Sequence, residues 1–327
     1  KGYFASKALL SAVELGLFTE LAKREMTASE IANALDLNQR AVPDFPDALM
    51  ALGFLRREGD GPNSVYSNTP ESAAFLDHNS PDYIGGILEM ANARLYRFWA
   101  DLTEALKTGA PQNETKHSGA SMFAKLYESP ERLEQFMNAM SDVSAGNFLA
   151  FAEKFDFSKY ETLCDVGGAT GQLCCMVAAA NPHMRCSSFD LPQVLPIATR
   201  KINEAGLSDR VTPVGGDFFV DALPKADVIT MGMILHDWNL EKKKMLIRKA
   251  YDGLPQGGAF VVIEALIDDA RRENAFGLLM SLNMLIEFGD AFDYSGSDFE
   301  SWCREVGFRK FEIIPLTGTS SAAVAYK

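Results

Sequence analysis

A glycine-rich turn between a predicted strand and a predicted helix constrains the fold of this chain more than any other feature. An apolar run, Thr162–Val166, carries a carboxylate, Asp165, near its end. Three glycines then follow at Gly167, Gly168 and Gly171. Glycine adopts positive φ easily and lets the backbone approach a ligand closely, and the start of the following helix offers unpaired N–H groups. The segment therefore predicts a binding site for a small polar molecule.

The spacing of the glycines separates two kinds of nucleotide ligand. A dinucleotide fingerprint requires the pattern G-x-G-x-x-G. From Gly167 onward this chain reads G-G-A-T-G-Q, which departs from the pattern at Ala169 and Gln172. An ordinary strand-to-helix turn has the same appearance, so the residues that follow must decide.

Four more apolar runs follow the turn and alternate with helical patterns. The first ends at Asp190, and a carboxylate at this point accepts hydrogen bonds from both ribose hydroxyls of a nucleoside. The next leads to Asp217 and Phe218, which could flank an adenine ring. The last two runs cover residues 226–231 and 259–264. This alternation predicts an α/β fold with a parallel sheet, whose ligands lie beyond the carboxyl ends of the strands.

Taken in order, the motifs resemble the small-molecule O-methyltransferase family, which includes plant caffeate and isoflavone enzymes, hydroxyindole O-methyltransferase and bacterial polyketide-tailoring enzymes. The resemblance covers nearly the whole chain. It rests on Asp-Val-Gly-Gly at 165–168, Phe-Asp-Leu-Pro at 189–192, Leu-His-Asp-Trp at 235–238, Leu-Pro-x-Gly-Gly at 254–258 and Met-Ser-Asp-x-Ser at 140–144. It implies a class I enzyme that uses S-adenosyl-L-methionine (SAM) and releases S-adenosyl-L-homocysteine. The implied fold is a Rossmann-like domain with a mostly parallel seven-stranded sheet, preceded by a mostly α, winged-helix-like dimerisation domain.

Methyl transfer to a hydroxyl requires an acceptor that loses its proton as it attacks. A phenol has a pKa of about 10 and an unperturbed imidazole one of about 6.5, so a neutral histidine is suited to be the base. His236 follows the fourth predicted strand and fits this role, although its position also suits a helix cap. In the family two acids hold the ring of this histidine, and the resemblance assigns them to Glu264 and Asp293. Asp293 equally suits a solvated loop or a cap before the next helix.

The resemblance also assigns the binding residues. The predicted cofactor-binding residues are Ser144, Asp165, Gly167, Gly168, Asp190, Leu191, Asp217 and Phe218. The predicted acceptor pocket consists of Phe136, Met140, Asp237, Met284 and Phe288. Methionine and phenylalanine at helical spacing are also typical of ordinary core packing. Gly232 stands where plant relatives carry a lysine that helps to position SAM, so backbone groups and acids must hold the cofactor here.

Residues 1–100 show a different pattern, with three predicted helices followed by a hairpin at 56–67, the order of a winged helix. Thr27 and Glu30 form a capping-box signature at the start of the second helix. Pro43 and Pro46 fall in the third and should disturb a regular helix interior. The resemblance implies that this domain forms a homodimer, in which the partner's N-terminal segment helps to close the acceptor pocket.

Charge argues against DNA binding by this domain. Residues 1–100 contain nine Lys and Arg against 13 Asp and Glu, a net charge of −4, and the whole chain has −13. A phosphate-binding surface depends on clustered basic residues. We therefore expect a small-molecule acceptor as the partner, and no nucleic acid.

Length and hydropathy set the remaining expectations. With 327 residues, 47% of them hydrophobic, the chain can form two domains. We place the second at 101–327. Between the two modules we predict long helices at 83–106 and 122–155, joined by a polar loop at 107–121. No apolar run approaches about 20 residues and no secretory signal is visible, so we expect no membrane partner, a cytoplasmic enzyme and reduced cysteines.

Several alternatives stay open. Methylation at carbon or nitrogen needs the same cofactor site but a different base, and a noncatalytic SAM binder or a winged-helix DNA-binding regulator would transfer no methyl group. Some relatives methylate an α-keto acid with the help of iron, which is held by histidine and carboxylate ligands. His236 and Asp237 could contribute, but no histidine follows them, so we expect no metal.

Overall fold

The computed structural model describes residues 2–116 and 129–327. The chain divides into two units, Lys1–Arg97 and Phe98–Lys327. Two predictions reach beyond the described residues, because residues 117–121 of the polar loop and 122–128 of the second long helix lie outside them.

The first unit combines short helices with a small antiparallel sheet of order β1-β3-β2. Its strands are β1 (Met26–Thr27), β2 (Leu55–Glu58) and β3 (Val65–Asn68), and its helices are α1 (Gly2–Glu14), α2 (Leu17–Lys23), α3 (Ala28–Ala34), α4 (Asp44–Ala51), α5 (Pro70–Phe75) and α6 (Gly85–Met90), followed by a π-helical turn (Ala91–Leu95). The hairpin predicted at 56–67 is confirmed as the β2–β3 pair.

Local sequence explains where these helices begin and end. The capping box is confirmed, since Thr27 Oγ1 accepts from the Glu30 N–H while Glu30 Oε2 accepts from the Thr27 N–H. The first of the three predicted helices is in fact two, because Gly16 adopts a φ of 72° and separates α1 from α2. The prolines do disturb the third predicted helix, as expected: a 3-10 turn (Gln39–Ala41) ends before Pro43, and α4 begins only after it. Pro46 lies in the first turn of α4, where a missing N–H breaks no intrahelical bond.

The second unit is built around seven strands: β4 (Thr162–Val166), β5 (Arg185–Asp190), β6 (Val211–Gly215), β7 (Val228–Gly232), β8 (Ala259–Glu264), β9 (Lys310–Pro315) and β10 (Ser321–Tyr326). Its helices are α8 (Leu102–Thr108), α9 (Pro130–Lys154), α10 (Gln172–Ala180), α11 (Leu195–Glu204), α12 (Leu240–Gly253), α13 (Ala275–Phe288) and α14 (Gly296–Val306), and α7 (Tyr96–Phe98) spans the unit boundary. The stretch predicted as one helix at 83–106 is therefore divided into α6, the π-turn, α7 and α8, with a 3-10 turn (Trp99–Asp101) between the last two.

The strand order β6-β5-β4-β7-β8-β10-β9 confirms the mostly parallel seven-stranded sheet. Strands β4 to β8 are parallel, and β10 runs antiparallel to β8 and β9. Apolar clusters cover both faces, one centred on Leu163 and Val261, the other on Ile229 and Phe260. The chain order reverses at β4, which has β5 on one side and β7 on the other. Ligands of such sheets bind at the carboxyl ends of the strands at this reversal.

No helix within residues 2–116 and 129–327 is both long and apolar enough to cross a lipid bilayer.

Candidate active site

The glycine turn after β4 has almost no room for side chains. Gly167 adopts a φ of 73°, and a Cβ added there would lie 2.3 Å from Ile234 Cδ1. A Cβ on Gly168 would lie 2.3 Å from Ser188 Oγ on the neighbouring strand β5. The turn therefore needs glycine at both positions, and it presents backbone rather than side chains to a ligand.

Asp190, at the end of β5, faces this turn. Its Oδ2 accepts a hydrogen bond from the Ala169 N–H at 2.9 Å, and its Oδ1 accepts from the Leu191 N–H at 2.7 Å. Burial raises the pKa of Asp190, and the two N–H groups partly oppose the shift. Each carboxylate oxygen can accept a second hydrogen bond, so the pair suits two adjacent hydroxyls.

Asp165 lies beneath the turn and not at its surface. Thr230 Oγ1, on β7, donates to Asp165 Oδ1 at 2.7 Å. The carboxyl is 4% exposed, and burial raises its pKa to about 7. Its visible contact is thus within the sheet, where it connects the strand that carries the turn with the strand that leads to His236.

Two other predicted cofactor residues, Phe218 and Leu191, lie beside the same turn. Phe218 Cε1 lies 4.0 Å from the Cβ position of Gly167, and its ring meets Trp238 edge-on with the centroids 6.0 Å apart. Asp217 Oδ1 accepts from the Phe219 N–H at 2.8 Å and shapes the loop. Leu191 packs in a small apolar cluster with Met137 of α9.

Helix α9 is joined to the turn by a contact that sequence reasoning missed. Ser141 Oγ lies 2.8 Å from Thr170 Oγ1. The predicted cofactor residue Ser144 lies one turn further along the same helix and is buried. The Met-Ser-Asp-x-Ser motif contained the signal for this contact, since the first serine of the motif is the one that meets the turn.

His236 lies in a 3-10 turn (Leu235–Asp237) just after β7 and is surrounded by acids. Its Nδ1 is 3.2 Å from Asp293 Oδ1 and its Nε2 is 3.4 Å from Asp237 Oδ1. The His236 main-chain N–H donates to Glu264 Oε1 at 3.2 Å. Asp293 therefore lies against the ring, as the resemblance implied. Glu264 contacts the backbone of the histidine and not its ring.

These acids change the acid–base character of the histidine. Burial lowers the pKa of His236, but Asp237, Asp293 and Glu264 outweigh that effect and raise it to about 10. Burial raises the pKa of Asp237 to about 7 and also raises that of Glu264. The expectation of an imidazole with its ordinary pKa is wrong for this site, because an imidazolium is better stabilised among three carboxylates.

The predicted pocket residues fall into two groups. Met284 and Phe288 lie on α13, which packs against the His236 turn, and the Phe288 ring centroid is 6.4 Å from that of Trp238. Phe136 and Met140 are half-buried on α9. Among the described residues, no hydrogen bond, ion pair or ring contact joins either of them to His236.

Gly232 is explained by packing. A Cβ at this position would lie 2.8 Å from Phe148 Cε1, so the aromatic ring on α9 occupies the space that a longer side chain would need. Sequence reasoning noted the missing lysine but not the ring that lies there.

Comparisons with known proteins agree with this geometry. Residues 99–309 match the O-methyltransferase domain and residues 1–78 match the O-methyltransferase dimerisation domain. The chain belongs to the O-methyltransferase family.

The curated relatives include bacterial and animal enzymes. The chain is 37% identical to the tetracenomycin polyketide synthesis 8-O-methyl transferase of Streptomyces glaucescens, over 99% of this chain and 94% of the relative. It is also 37% identical to an N,N-dimethyltransferase of Streptomyces rimosus, over 94% and 88%. The structure of human N-acetylserotonin methyltransferase in complex with SAM matches with a TM-score of 0.91 and 28% identity, covering 100% of this chain and 94% of that one.

Proposed function

We propose that this enzyme transfers a methyl group from SAM to a hydroxyl of a small aromatic molecule, with His236 as the general base. One observation carries the proposal. A buried histidine lies among three carboxylates at the carboxyl end of β7. The glycine turn lies at the end of the neighbouring strand β4, where the chain order of the sheet reverses.

The methyl donor is SAM, which supplies an electrophilic methyl group on a sulfonium and leaves as S-adenosyl-L-homocysteine. The residues present suit such a molecule. Gly167 and Gly168 allow close approach of backbone, and Asp190 offers two oxygens to a ribose. Phe218, beside the turn, offers a ring face to the adenine of SAM. Of the remaining predicted cofactor residues we assign Ser144, Leu191 and Asp217 to the same site, whereas Asp165 supports the turn from below.

The pKa of His236 is matched to a phenolic acceptor. As the acceptor oxygen attacks, its O–H bond breaks and the proton moves to Nε2 of the neutral imidazole, the form that becomes more populated as the pH rises toward about 10. A base with a pKa of about 10 takes a proton from a phenol of similar pKa with little change in free energy. Asp237 faces the same nitrogen, so the acceptor hydroxyl approaches Nε2 beside this carboxylate.

An aromatic polyketide is the acceptor class that we favour. A relative of 37% identity is named for polyketide 8-O-methylation. The rings of Trp238 and Phe288 lie beside the His236 turn and suit a planar substrate. We assign Met284, Phe136 and Met140 to the same pocket.

We propose a homodimer formed through the first unit, because residues 1–78 match a dimerisation domain. Light scattering on the purified chain tests this, and a monomer at micromolar concentration contradicts it.

Methylation of an amine is the second candidate, because a relative of 37% identity is named an N,N-dimethyltransferase. A neutral amine already carries a lone pair and needs no base before it attacks. The two candidates therefore differ in how far they depend on His236.

The experiment compares His236→Ala with His183→Ala, a surface histidine changed in the same way. Hydroxylated and aminated naphthalenes and polyketide aromatics are incubated with methyl-labelled SAM, and the products are identified. O-methylation should fall by about 10² to 10⁴ in His236→Ala only, the usual contribution of a general base. SAM affinity measured by calorimetry should stay near wild type. O-methylation at the wild-type rate in His236→Ala would eliminate this base, and N-methyl products alone would favour the second candidate.

A further inference from the structure

A buried lysine lies on the inward face of α12. Lys243 shares this face with Leu246, Ile247 and Ala250 and is 0% exposed. A buried ammonium group is unfavourable unless it is paired and hydrogen-bonded. Its sequence neighbour Lys244 instead reaches the surface, where it pairs with Glu305 at 2.6 Å. The apolar spacing of the helix marks position 243 as an interior site, so a lysine there needs an explanation.

The contacts of Lys243 join the two segments that carry the histidine and its partner acid. Its Nζ donates to the main-chain oxygen of Trp238, two residues after His236. It also donates to the main-chain oxygen of Phe292 at 2.8 Å, one residue before Asp293. The ammonium lies 3.8 Å from the Phe292 ring centroid, a favourable cation–π distance. One side chain thus connects the His236 turn to the loop between α13 and α14.

We propose that Lys243 is a positioning residue for methyl transfer: it fixes the His236–Asp293 pair in place and supplies a positive charge that balances the acidic cluster around the histidine. The proposal rests on the proposed role of His236 as the base.

The acids around the His236–Asp293 pair carry more negative charge than His236 alone can balance, so a second cation stabilises the cluster. His236 faces Asp237 from its own turn, Glu264 from the end of β8 and Asp293 from the loop. The same three acids and Asp290 act on Lys243. The loop also contributes Tyr294, whose hydroxyl lowers the pKa of Glu264, and α13 carries the buried Glu287.

Lys243 remains a cation at neutral pH even though it is buried. Burial lowers its pKa, and the surrounding acids oppose the shift, so that the pKa is about 8. The lysine therefore acts in the cluster as a charge as well as a hydrogen-bond donor.

Two variants separate the charge from the hydrogen bonds. Lys243→Gln keeps an N–H donor and removes the charge, whereas Lys243→Met removes both. Lys244→Gln and Lys244→Met are the matched surface controls.

The first readout is the titration of the Asp237 carboxyl, followed by NMR with labelled aspartate and assigned with Asp237→Asn. It needs no acceptor, so it gives a result even if the proposed activity is wrong. Asp237 has a pKa of about 7, below that of Lys243, so the lysine is still charged in this range and lowers the pKa of the carboxyl. Lys243→Gln should therefore raise the pKa of Asp237 by about 0.5 to 1 unit, and the Lys244 variants should leave it unchanged. An unchanged Asp237 titration in Lys243→Gln would overturn the proposal.

The second readout is kcat as a function of pH, with SAM affinity and Tm measured on the same samples. Lys243→Met should lower kcat at least tenfold even on the alkaline plateau, because Asp293 is no longer held, while SAM affinity changes less than threefold. A lower Tm with the kcat profile unchanged would reduce Lys243 to a structural residue and would overturn the proposal. If Lys243→Met does not fold, the Lys243→Gln titration decides.

Discussion

The pKa of the proposed base should depend on Asp293. This carboxylate lies 3.2 Å from His236 Nδ1 and is buried, so its charge acts on the ring with little screening by solvent. Asp293→Asn keeps an oxygen for the contact and removes the charge. We expect the pKa of His236 to fall and the rise of kcat/KM with pH to move to lower pH, since kcat/KM reports groups of the free enzyme.

The size of the shift follows from the distance. Two unit charges 3.2 Å apart attract by about 5 kcal/mol at an effective dielectric constant of about 20, which corresponds to roughly 4 pKa units. Asp237 and Glu264 remain in the variant and continue to favour the imidazolium. We therefore expect a smaller decrease, about 1 to 3 units from the value of about 10. The plateau rate should also decrease, because a less basic histidine removes the proton less readily.

The assay measures methyl transfer between about pH 6 and 11, the range over which the shifted histidine titrates. Asp290→Asn is the control. It removes an exposed carboxylate from the same loop, one that accepts a hydrogen bond from Asn239 Nδ2. An ascending limb at the same pH in Asp293→Asn and wild type, or one displaced upward, would refute the electrostatic reasoning.

Two further predictions concern the glycine turn and the acid beneath it. Gly168→Ala should weaken SAM binding at least about tenfold, because its Cβ would lie 2.3 Å from Ser188 Oγ, whereas Gly146→Ala meets Thr317 at an ordinary 3.6 Å. Equal affinities in calorimetry would contradict this. Asp165 has a pKa of about 7 in the folded protein, against an ordinary value of 3.8. The folded state therefore holds this proton more tightly than the unfolded state does. As pH rises from 3.8 to 7, the free energy of unfolding should fall by about 4 kcal/mol. Asp165→Asn keeps an acceptor for Thr230 and should raise Tm, measured by scanning calorimetry, more at pH 8 than at pH 4. An equal change in Tm at the two pH values would show that burial does not control the pKa of this carboxyl.

The parts of the fold that follow from local pattern were predictable. Most of the parallel strands are largely apolar runs of five or six residues, and helical patterns separate them, so the sequence alone could place β4 to β8. The turn at Gly167 could also be predicted, because packing leaves no room for other residues there and the sequence therefore shows glycine at these positions. The capping box of α3 is a local hydrogen-bond pattern and needs no tertiary information.

Contacts between distant segments did not follow from local pattern. Asp293 was assigned to His236 through the family resemblance alone, because it lies in a loop with no periodicity and only folding brings it to the histidine, 57 residues earlier. The pKa of that histidine depends on three acids from three segments, so an isolated motif suggests the wrong value. The ring of Phe148 over Gly232 likewise joins a helix to a strand across more than 80 residues of sequence.

Sheet register connects the glycine turn to the proposed base. Asp165 on β4 pairs with Thr230 on β7, and Gly232 at the end of β7 pairs with Ile263 on β8, one residue before Glu264. The chain then bends at Met233, whose N–H donates to Ile263 O at 3.1 Å. Its φ of 58° is unfavourable by about 1 kcal/mol or more for a residue with a side chain. This bend turns the His236 N–H toward Glu264. Because side chains alternate between the two faces of a strand, a slip of one residue between β7 and β8 would separate the acid from the histidine. The strain at Met233 is therefore a cost of placing the proposed base, His236, near the turn.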